Sequence, residues 1–198
     1  MERYIDLHTH SKCSDGSMTP AELVRHAKES GLAAISLTDH DGIDGVAQAL
    51  AEGERIGFEV VPGVELSAKS NTETHILGYY IDINNPALID TLKQVKEMRV
   101  KRNYDTCQKL RDYGFDITMD DARKFAGSEM LARAHFAKAM VDKGYAESVK
   151  DAFDKYLSNG KPCYSSMQLL TSEGCVRLIN AAGGLAFVAH LHLTKKSD

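Results

Sequence analysis

The sequence of 198 residues lacks the features that would place it in a membrane or outside the cell. Its cysteines form no CxxC pair, which excludes a zinc knuckle or a redox motif and indicates reduced thiols; they are Cys13, Cys107, Cys163 and Cys175. No apolar run approaches the roughly 18 residues that span a bilayer. The start, MERYIDLHTH, has neither region of a signal peptide. We therefore predict a cytoplasmic protein with no membrane partner.

The sequence also lacks an excess of positive charge. Its 24 lysine and arginine residues stand against 28 aspartate and glutamate residues, for a net charge of -4. A protein that binds polyanions through a general electrostatic field is expected to be basic. Duplex DNA is therefore excluded as a partner, and any nucleotide must bind at a specific site.

Short apolar runs alternate with capped helical segments over residues 1–84 and again near the end of the chain. Strands are predicted at 3–8, 32–38, 60–66, 74–81 and 185–189, and helices at 20–30, 43–56 and 173–182. The first helix begins with a capping box, Thr19-Pro20-Ala21-Glu22. This alternation predicts an α/β fold with a parallel sheet and helices packed outside it.

Residues 85–161 follow a different pattern that is helical throughout. Pro86 begins a long helix that ends near Gly114, Thr118 begins another, and further helical stretches follow at 131–143 and 146–157. We interpret 85–161 as a helical insertion domain within a barrel domain made of 1–84 and 162–198.

Metal-binding side chains stand at the ends of the predicted strands. The carboxyl ends of parallel strands meet at one edge of a sheet, where α/β proteins place their sites. His75 is the exception, because it begins its strand and fits only if that strand is antiparallel or enters from a bend. A single histidine is more often structural than functional, but donors at five strand ends indicate a common site. The candidates are His8, His10, Asp15, His40, Glu65, His75 and His190.

These residue types suit a particular chemistry. His8 and His10 are two apart on a strand, so both side chains leave the same face and can hold one ion. Imidazole mixed with carboxylate suits manganese, iron or zinc, whereas calcium and magnesium sites are built from oxygen. One carboxylate such as Glu65 can bridge two ions, and pairs about 3.5–4 Å apart are typical of phosphate-ester hydrolysis by a metal-activated hydroxide.

In this order along the chain, the motifs resemble the PHP (polymerase and histidinol phosphatase) superfamily. They are His8-x-His10, Asp15-Gly16, Thr38-Asp39-His40-Asp41, Pro62-Gly63-Val64-Glu65, His75 with Leu77-Gly78-Tyr79, and Gly183-Gly184 before Ala189-His190. The resemblance implies a distorted (β/α)7, TIM-like barrel and a metal-dependent hydrolase. It also implies two to three divalent ions, with Mn²⁺ favoured over Fe²⁺, Zn²⁺ or Mg²⁺.

The resemblance implies a role for each candidate ligand. His8, His10 and Glu65 would hold one ion. Glu65 would bridge to a second ion held also by His75 and His190, while Asp15 and His40 would hold a third. His40, Asp15 and Glu65 are then the candidate catalytic residues, and either His40 or Asp15 would give a proton to the leaving oxygen.

The helical insertion resembles the stand-alone branch of nucleotide phosphatases. Its members remove the 3′-phosphate of nucleoside 3′,5′-bisphosphates such as pAp, or trim short 5′-phosphorylated RNA. Arg133, His135 and Lys161 resemble segments that bind substrate phosphate in this branch, and guanidinium suits phosphate because it binds in a bidentate manner. Arg99 and Arg102, three apart on a helix, are expected on a solvated face rather than at the substrate.

The sequence departs from the family pattern after His190, because no Asp-x-His pair follows. Five strands are predicted where a seven-stranded barrel is expected, so the barrel would be incomplete at its C-terminus. Three explanations stay open: a truncated chain, a second copy that supplies the missing edge, or His192 as a substitute ligand. The open sheet edge predicts a homodimer.

Three functions follow from these expectations. The first is a phosphoesterase that acts on small phosphorylated nucleotides. The alternatives are a histidinol-phosphate-type phosphatase and a truncated, catalytically inactive metal-binding module.

Overall fold

The computed structural model describes residues 3–69, 74–126, 131–167 and 170–191. The chain divides into two compact units. The first unit consists of residues 1–95 and 169–198, and the second unit consists of residues 96–168. The boundaries of a barrel domain and an insertion at 84/85 and 161/162 stay a prediction.

The first unit contains a curled, half-barrel sheet of five strands in the order β1-β2-β3-β4-β5. The strands are β1 (Ile5–Thr9), β2 (Ala34–Leu37), β3 (Glu59–Ala68), β4 (Thr74–Tyr79) and β5 (Leu185–Val188). The mixed α/β class predicted from the sequence is confirmed. The complete seven-stranded barrel stays a prediction.

The sheet is mixed, so the prediction of a parallel sheet was wrong in part. Strands β1, β2 and β3 are parallel, whereas β4 is antiparallel to both β3 and β5. The reason is visible in the sequence, where only residues 69–73 separate β3 from β4. A parallel crossover needs a dozen or more residues, so this connection permits only an antiparallel pair.

The directions of the strands bring five strand ends to one edge. Strands β1, β2, β3 and β5 run the same way and β4 runs the other way. The carboxyl ends of four strands therefore meet the amino end of β4. In the register of the β3–β4 pair, Ser67 lies opposite His75, two residues beyond Glu65.

Helices pack on the sheet of the first unit. They are α1 (Pro20–Glu29), α2 (Val46–Ile56), the beginning of α3 (Pro86–Asp112) and α7 (Ser172–Ala181). Thr19 and Glu22 form the predicted capping box at the start of α1. Two apolar cores result, one around Val24, Leu37 and Val46, and the other around Val64, Leu88 and Ile179.

An ion-pair cluster joins the outer faces of α1 and α2. The Glu52 carboxylate accepts hydrogen bonds at 2.7 Å from the guanidinium groups of Arg25 and Arg55. The hydrogen bonds from Arg55 and Arg25 lower the pKa of Glu52 to about 2. This cluster is structural, because it lies on the helices rather than at the strand ends.

The second unit is helical in the part of it that the structure describes. It contains the rest of α3, α4 (Met119–Arg123), α5 (Arg133–Asp142), α6 (Val149–Ala152) and a π-helical turn at Phe153–Leu157. Its core is built around the fully buried side chains of Phe136, Met140, Leu110, Ile117 and Leu157. None of the helices within the described ranges is both long and apolar enough to cross a bilayer. The cytoplasmic location stays a prediction.

The two edge strands of the sheet in the first unit, β1 and β5, expose apolar side chains at or beside them. Tyr4 and Ile5 on the β1 side and Leu185, Phe187 and Val188 on β5 are all about half exposed or more. A cavity of about 380 Å³ is lined by residues of the sheet, among them Leu7, Leu77 and Tyr79. Such a surface is suited to association rather than catalysis. Homodimerisation through the open sheet edge stays a prediction.

Candidate metal centre

Five imidazole rings surround the fully buried carboxylate of Glu65. Each ring has a nitrogen within 3.3 Å of a Glu65 oxygen, so all five meet the same side chain. The distances to Oε2 are 3.0 Å from His8 Nε2, 3.3 Å from His10 Nε2 and 3.1 Å from His40 Nδ1. Those to Oε1 are 2.9 Å from His75 Nδ1 and 3.0 Å from His190 Nε2.

The five rings form a closed circle around this carboxylate, which we call the histidine ring. Neighbouring ring centroids are 4.6 to 5.8 Å apart. The order around the circle is His8, His10, His40, His75, His190 and back to His8. Candidates spread over 183 positions of sequence, from 8 to 190, are therefore brought to one point.

The backbone of β2 and β3 fixes the centre of the histidine ring. His40 forms an isolated parallel bridge with Glu65 just beyond β2. The Asp41 amide donates to the Glu65 carbonyl at 2.8 Å, and the Glu65 amide donates to the Asp39 carbonyl at 3.2 Å. The position of the carboxylate thus depends on sheet pairing and not on a mobile loop.

His75 enters the histidine ring because β4 is antiparallel. The sequence left two possibilities for His75, an antiparallel strand or entry from a bend, and the structure shows the antiparallel strand. His190 follows β5 and has a φ of 28°, a backbone conformation that residues with a side chain rarely adopt. Such conformations persist where the surroundings determine them, and they concentrate at functional sites.

Asp15 lies beside the histidine ring rather than in it. Its oxygens are 3.6 Å from His10 Nδ1 and 3.7 Å from His40 Nε2. Its side chain is 50% exposed, while that of Glu65 is fully buried. Asp15 is therefore the carboxylate of the cluster that faces water.

The electrostatics of the centre favour a cation. Burial disfavours a charged carboxylate, but the hydrogen bonds from His10 and His75 outweigh burial and hold the pKa of Glu65 well below its usual range. Burial lowers the pKa of His40. At His10 burial acts in the same direction, but the hydrogen bond to Glu65 and the charge of Asp15 reverse it and raise the pKa of that imidazole. A permanent negative charge therefore stands inside a ring of nitrogen donors.

The donors fit divalent metal ions. Three groups of residues each present ligand atoms within 4.8 Å of one another: His8, His10 and Glu65; His10, Asp15 and His40; and His40, Glu65 and His75. The His75 and His190 nitrogens are also 3.2 Å apart, and both contact Glu65. Mixed imidazole and carboxylate donors of this kind suit manganese, iron or zinc.

The two nitrogens of His190 have different surroundings. His190 Nδ1 is buried and has no hydrogen-bond partner among the described residues. Buried polar groups in native proteins are almost always satisfied, and exceptions call for a functional explanation. The second nitrogen of this ring, Nε2, contacts Glu65 at 3.0 Å, so the imidazole is oriented toward the centre.

The predicted substrate-binding residues lie in the second unit. The Arg133 guanidinium stacks over the Tyr164 ring, 5.1 Å from its centroid. His135 is buried, and its Nδ1 accepts the Ala132 amide hydrogen at the start of α5, which is a structural contact. Lys161 is exposed. Phosphate binding by these three residues stays a prediction.

The prediction that Arg99 and Arg102 lie on a solvated face of α3 was wrong. Arg99 and Arg102 are both buried, with at most 8% of their surface exposed. Arg102 donates hydrogen bonds to Asn103 Oδ1 and to the Leu131 carbonyl, so its charge is stabilised inside the second unit. Spacing on a helix identifies a shared face but not what covers it.

His192, considered as a substitute ligand, lies outside the described residues. Asp39 and Asp41 were quoted only as motif letters, yet both are nearly fully buried and hydrogen-bonded to serines of neighbouring segments. Their signal in the sequence is their position on either side of His40.

Comparison with known proteins identifies relatives over most of the chain. The family model described as PHP domain matches residues 6–162. The chain is 40% identical over 188 residues to the 3′,5′-nucleoside bisphosphate phosphatase of Chromobacterium violaceum, which covers 94% of this chain and 66% of that protein. It is 37% identical to the 5′-3′ exoribonuclease Rnm of Escherichia coli, over 93% of this chain and 64% of the relative.

A solved structure agrees with these sequence matches. It is from Bifidobacterium adolescentis and is described, provisionally, as a metal-dependent phosphoesterase. It superimposes with a TM-score of 0.81 at 27% identity and covers 95% of this chain and 67% of that one. The chain spans about two thirds of the length of the curated relatives it matches.

Proposed function

Because the chain belongs to the PHP domain family, we propose that it is a metal-dependent phosphoesterase that hydrolyses phosphate monoesters of small nucleotides. The observation that carries the proposal is the histidine ring around the buried Glu65 carboxylate. Its donors come from all five strands, and the motifs that supply them are those of the family. The names of the two relatives support the substrate class, since one acts on nucleoside bisphosphates and the other on RNA.

The ligands are assigned by proximity. His8, His10 and Glu65 would hold one ion, and Glu65, His75 and His190 a second. Asp15 and His40, together with His10, would hold a third. When bound, such ions polarise phosphoryl oxygens and supply a nucleophile near neutral pH. The mixture of imidazole and carboxylate donors suits Mn²⁺, Fe²⁺ or Zn²⁺, and we favour Mn²⁺ because the resemblance to the PHP superfamily implies it.

The residues of the chain have separate parts in this proposal. Glu65 supplies the permanent charge, and its burial excludes water from its oxygens. His40 and Asp15 form the solvent-facing pair, with side chains 25% and 50% exposed. We assign to this pair the transfer of a proton to the leaving oxygen when no third ion is bound, because a side chain that holds a metal ion has no proton to give.

Phosphate release from adenosine 3′,5′-bisphosphate is the direct test. With added Mn²⁺ the protein is expected to release phosphate, and EDTA or the substitution His8→Ala is expected to abolish release. Histidinol phosphate and a short 5′-phosphorylated RNA are assayed beside it. Turnover of the bisphosphate or the RNA supports the nucleotide branch, whereas turnover of histidinol phosphate alone contradicts it. Metal binding without turnover of any of the three would indicate the inactive metal-binding module.

A further inference from the structure

The Asp39 carboxylate is buried beside the histidine ring without contacting Glu65 through its side chain. It is 1% exposed. Three groups donate hydrogen bonds to it: the Ser11 amide to Oδ1 at 2.7 Å, the Ser11 hydroxyl to Oδ2 at 2.7 Å and the Ser14 hydroxyl to Oδ1 at 2.6 Å. All three donors belong to the loop that follows β1.

That loop joins two of the proposed ligands, His10 and Asp15. It is wound around Ser11, whose carbonyl accepts from the Ser14 amide at 3.1 Å and from the Gly16 amide at 2.9 Å. A Cβ at Gly16 would lie 2.2 Å from the His10 carbonyl oxygen, so only glycine permits this approach. The loop is therefore a compact turn with a ligand at each end.

The Ser14 hydroxyl lies against both ligands. Its hydroxyl oxygen is 3.5 Å from His10 Nδ1 and 3.3 Å from Asp15 Oδ1, and it donates its proton to Asp39 over the shorter distance. Charge-assisted hydrogen bonds of this length are stronger than neutral ones. Asp39 therefore holds two serines of the loop that carries both ligands, and one of them contacts each ligand.

We propose that Asp39 is a positioning residue that fixes His10 and Asp15 for metal binding by holding Ser11 and Ser14. The inference rests on the proposed function, since it assigns these two residues as ligands. Outer-shell groups that orient metal ligands typically contribute about 10- to 100-fold to metal affinity. Asp39 would act on the group formed by His10, Asp15 and His40.

Asp41 supplies a matched comparison on the other side of His40. Its carboxylate accepts from the Ser67 amide and hydroxyl, both at 2.8 Å, and so holds β3. It is also buried, at 3% exposed. Asp41→Asn is a suitable control variant, because asparagine keeps one acceptor oxygen and tolerates the φ of 49° that Asp41 adopts.

Hydrogen exchange of the metal-free protein, followed by NMR, tests whether Asp39 holds the loop that follows β1. In Asp39→Ala the amides of Ser11, Ser14 and Gly16 are expected to exchange at least about tenfold faster, since each lost hydrogen bond contributes a factor of a few to about ten. Asp39→Asn retains one acceptor oxygen and should give a smaller increase. Asp41→Asn should leave these three amides unchanged.

Mn²⁺ titration of the same variants tests the consequence for the metal. Asp39→Ala is expected to weaken binding of one ion by about 10- to 100-fold, with Asp39→Asn in between. Glu52→Gln, which removes a carboxylate on the outer helices, should leave Mn²⁺ affinity unchanged. If Asp39→Ala does not fold, hydrogen exchange and Mn²⁺ titration are both measured on Asp39→Asn.

Several results would overturn the proposal. Unchanged exchange of the three amides in the Asp39 variants would show that the carboxylate does not hold the loop. Faster exchange across the whole first unit would show a general loss of stability instead. Faster loop exchange with unchanged Mn²⁺ affinity would remove the link to the ligands. If the unsubstituted protein bound no Mn²⁺, the proposed function would fail, while exchange would still decide whether Asp39 holds the loop.

Discussion

Replacing Glu65 with glutamine is expected to weaken Mn²⁺ binding, and with it phosphate release, by more than about 100-fold, because even groups that only orient a ligand contribute about 10- to 100-fold. Glutamine keeps the shape of the side chain but removes its charge. The histidine ring would then surround a neutral amide whose nitrogen is a donor and cannot bind a cation. Calorimetric titration with Mn²⁺ measures the affinity, and phosphate release measures turnover.

The matched control for this substitution is Glu52→Gln. Glu52 is also a nearly buried carboxylate with a lowered pKa, but it pairs with Arg25 and Arg55 on the outer helices. This control is expected to reduce stability and leave metal binding intact. Equal Mn²⁺ affinity in Glu65→Gln and the unsubstituted protein would show that the buried carboxylate is not a ligand.

Saturating Mn²⁺ is expected to raise the melting temperature by about 5 to 10 °C. A ligand present at 100 times its dissociation constant stabilises the folded state by about 2.7 kcal/mol. In a chain of this size each kcal/mol shifts the melting temperature by roughly 2 to 4 °C. The shift belongs to the first unit, which contains every residue of the histidine ring. Differential scanning calorimetry with and without EDTA measures it.

Two controls separate this effect from general cation binding. Ca²⁺ prefers oxygen ligands and should give a smaller shift than Mn²⁺, because five of the donors are imidazoles. His10→Ala should reduce the Mn²⁺ shift, whereas His26→Ala, which changes an exposed histidine on α1, should not. The same shift with Ca²⁺ and Mn²⁺, or a shift that survives in His10→Ala, would indicate surface carboxylates as the site.

Local sequence signals predicted the elements of the first unit closely. The capping box at Thr19 gave the start of α1 to the residue, and the apolar runs gave five strands with small differences at their ends. The direction of β4 was the part left open, although the five residues between β3 and β4 already exclude a parallel crossover. The length of a connection is therefore as informative as the pattern of the strands it joins.

The histidines of the histidine ring could be predicted because each stands at or near a strand end, and these strand ends meet at one edge of the sheet. The groups that hold them could not be, since Ser11 and Ser14 carry no distinguishing pattern. Their role depends on a contact with Asp39 over 25 or more positions of sequence. The burial of Arg99 and Arg102 escaped prediction for a similar reason, because helical spacing identifies a face but not the segment that packs on it.

Anomalous diffraction from crystals of the protein soaked in Mn²⁺ would show whether the histidine ring holds metal ions. Data collected on either side of the manganese absorption edge locate the ions independently of turnover and substrate. We expect anomalous density inside the histidine ring, within reach of Glu65 and of the five imidazoles. Manganese bound only at surface carboxylates away from this ring, or absent from the crystals altogether, would contradict it.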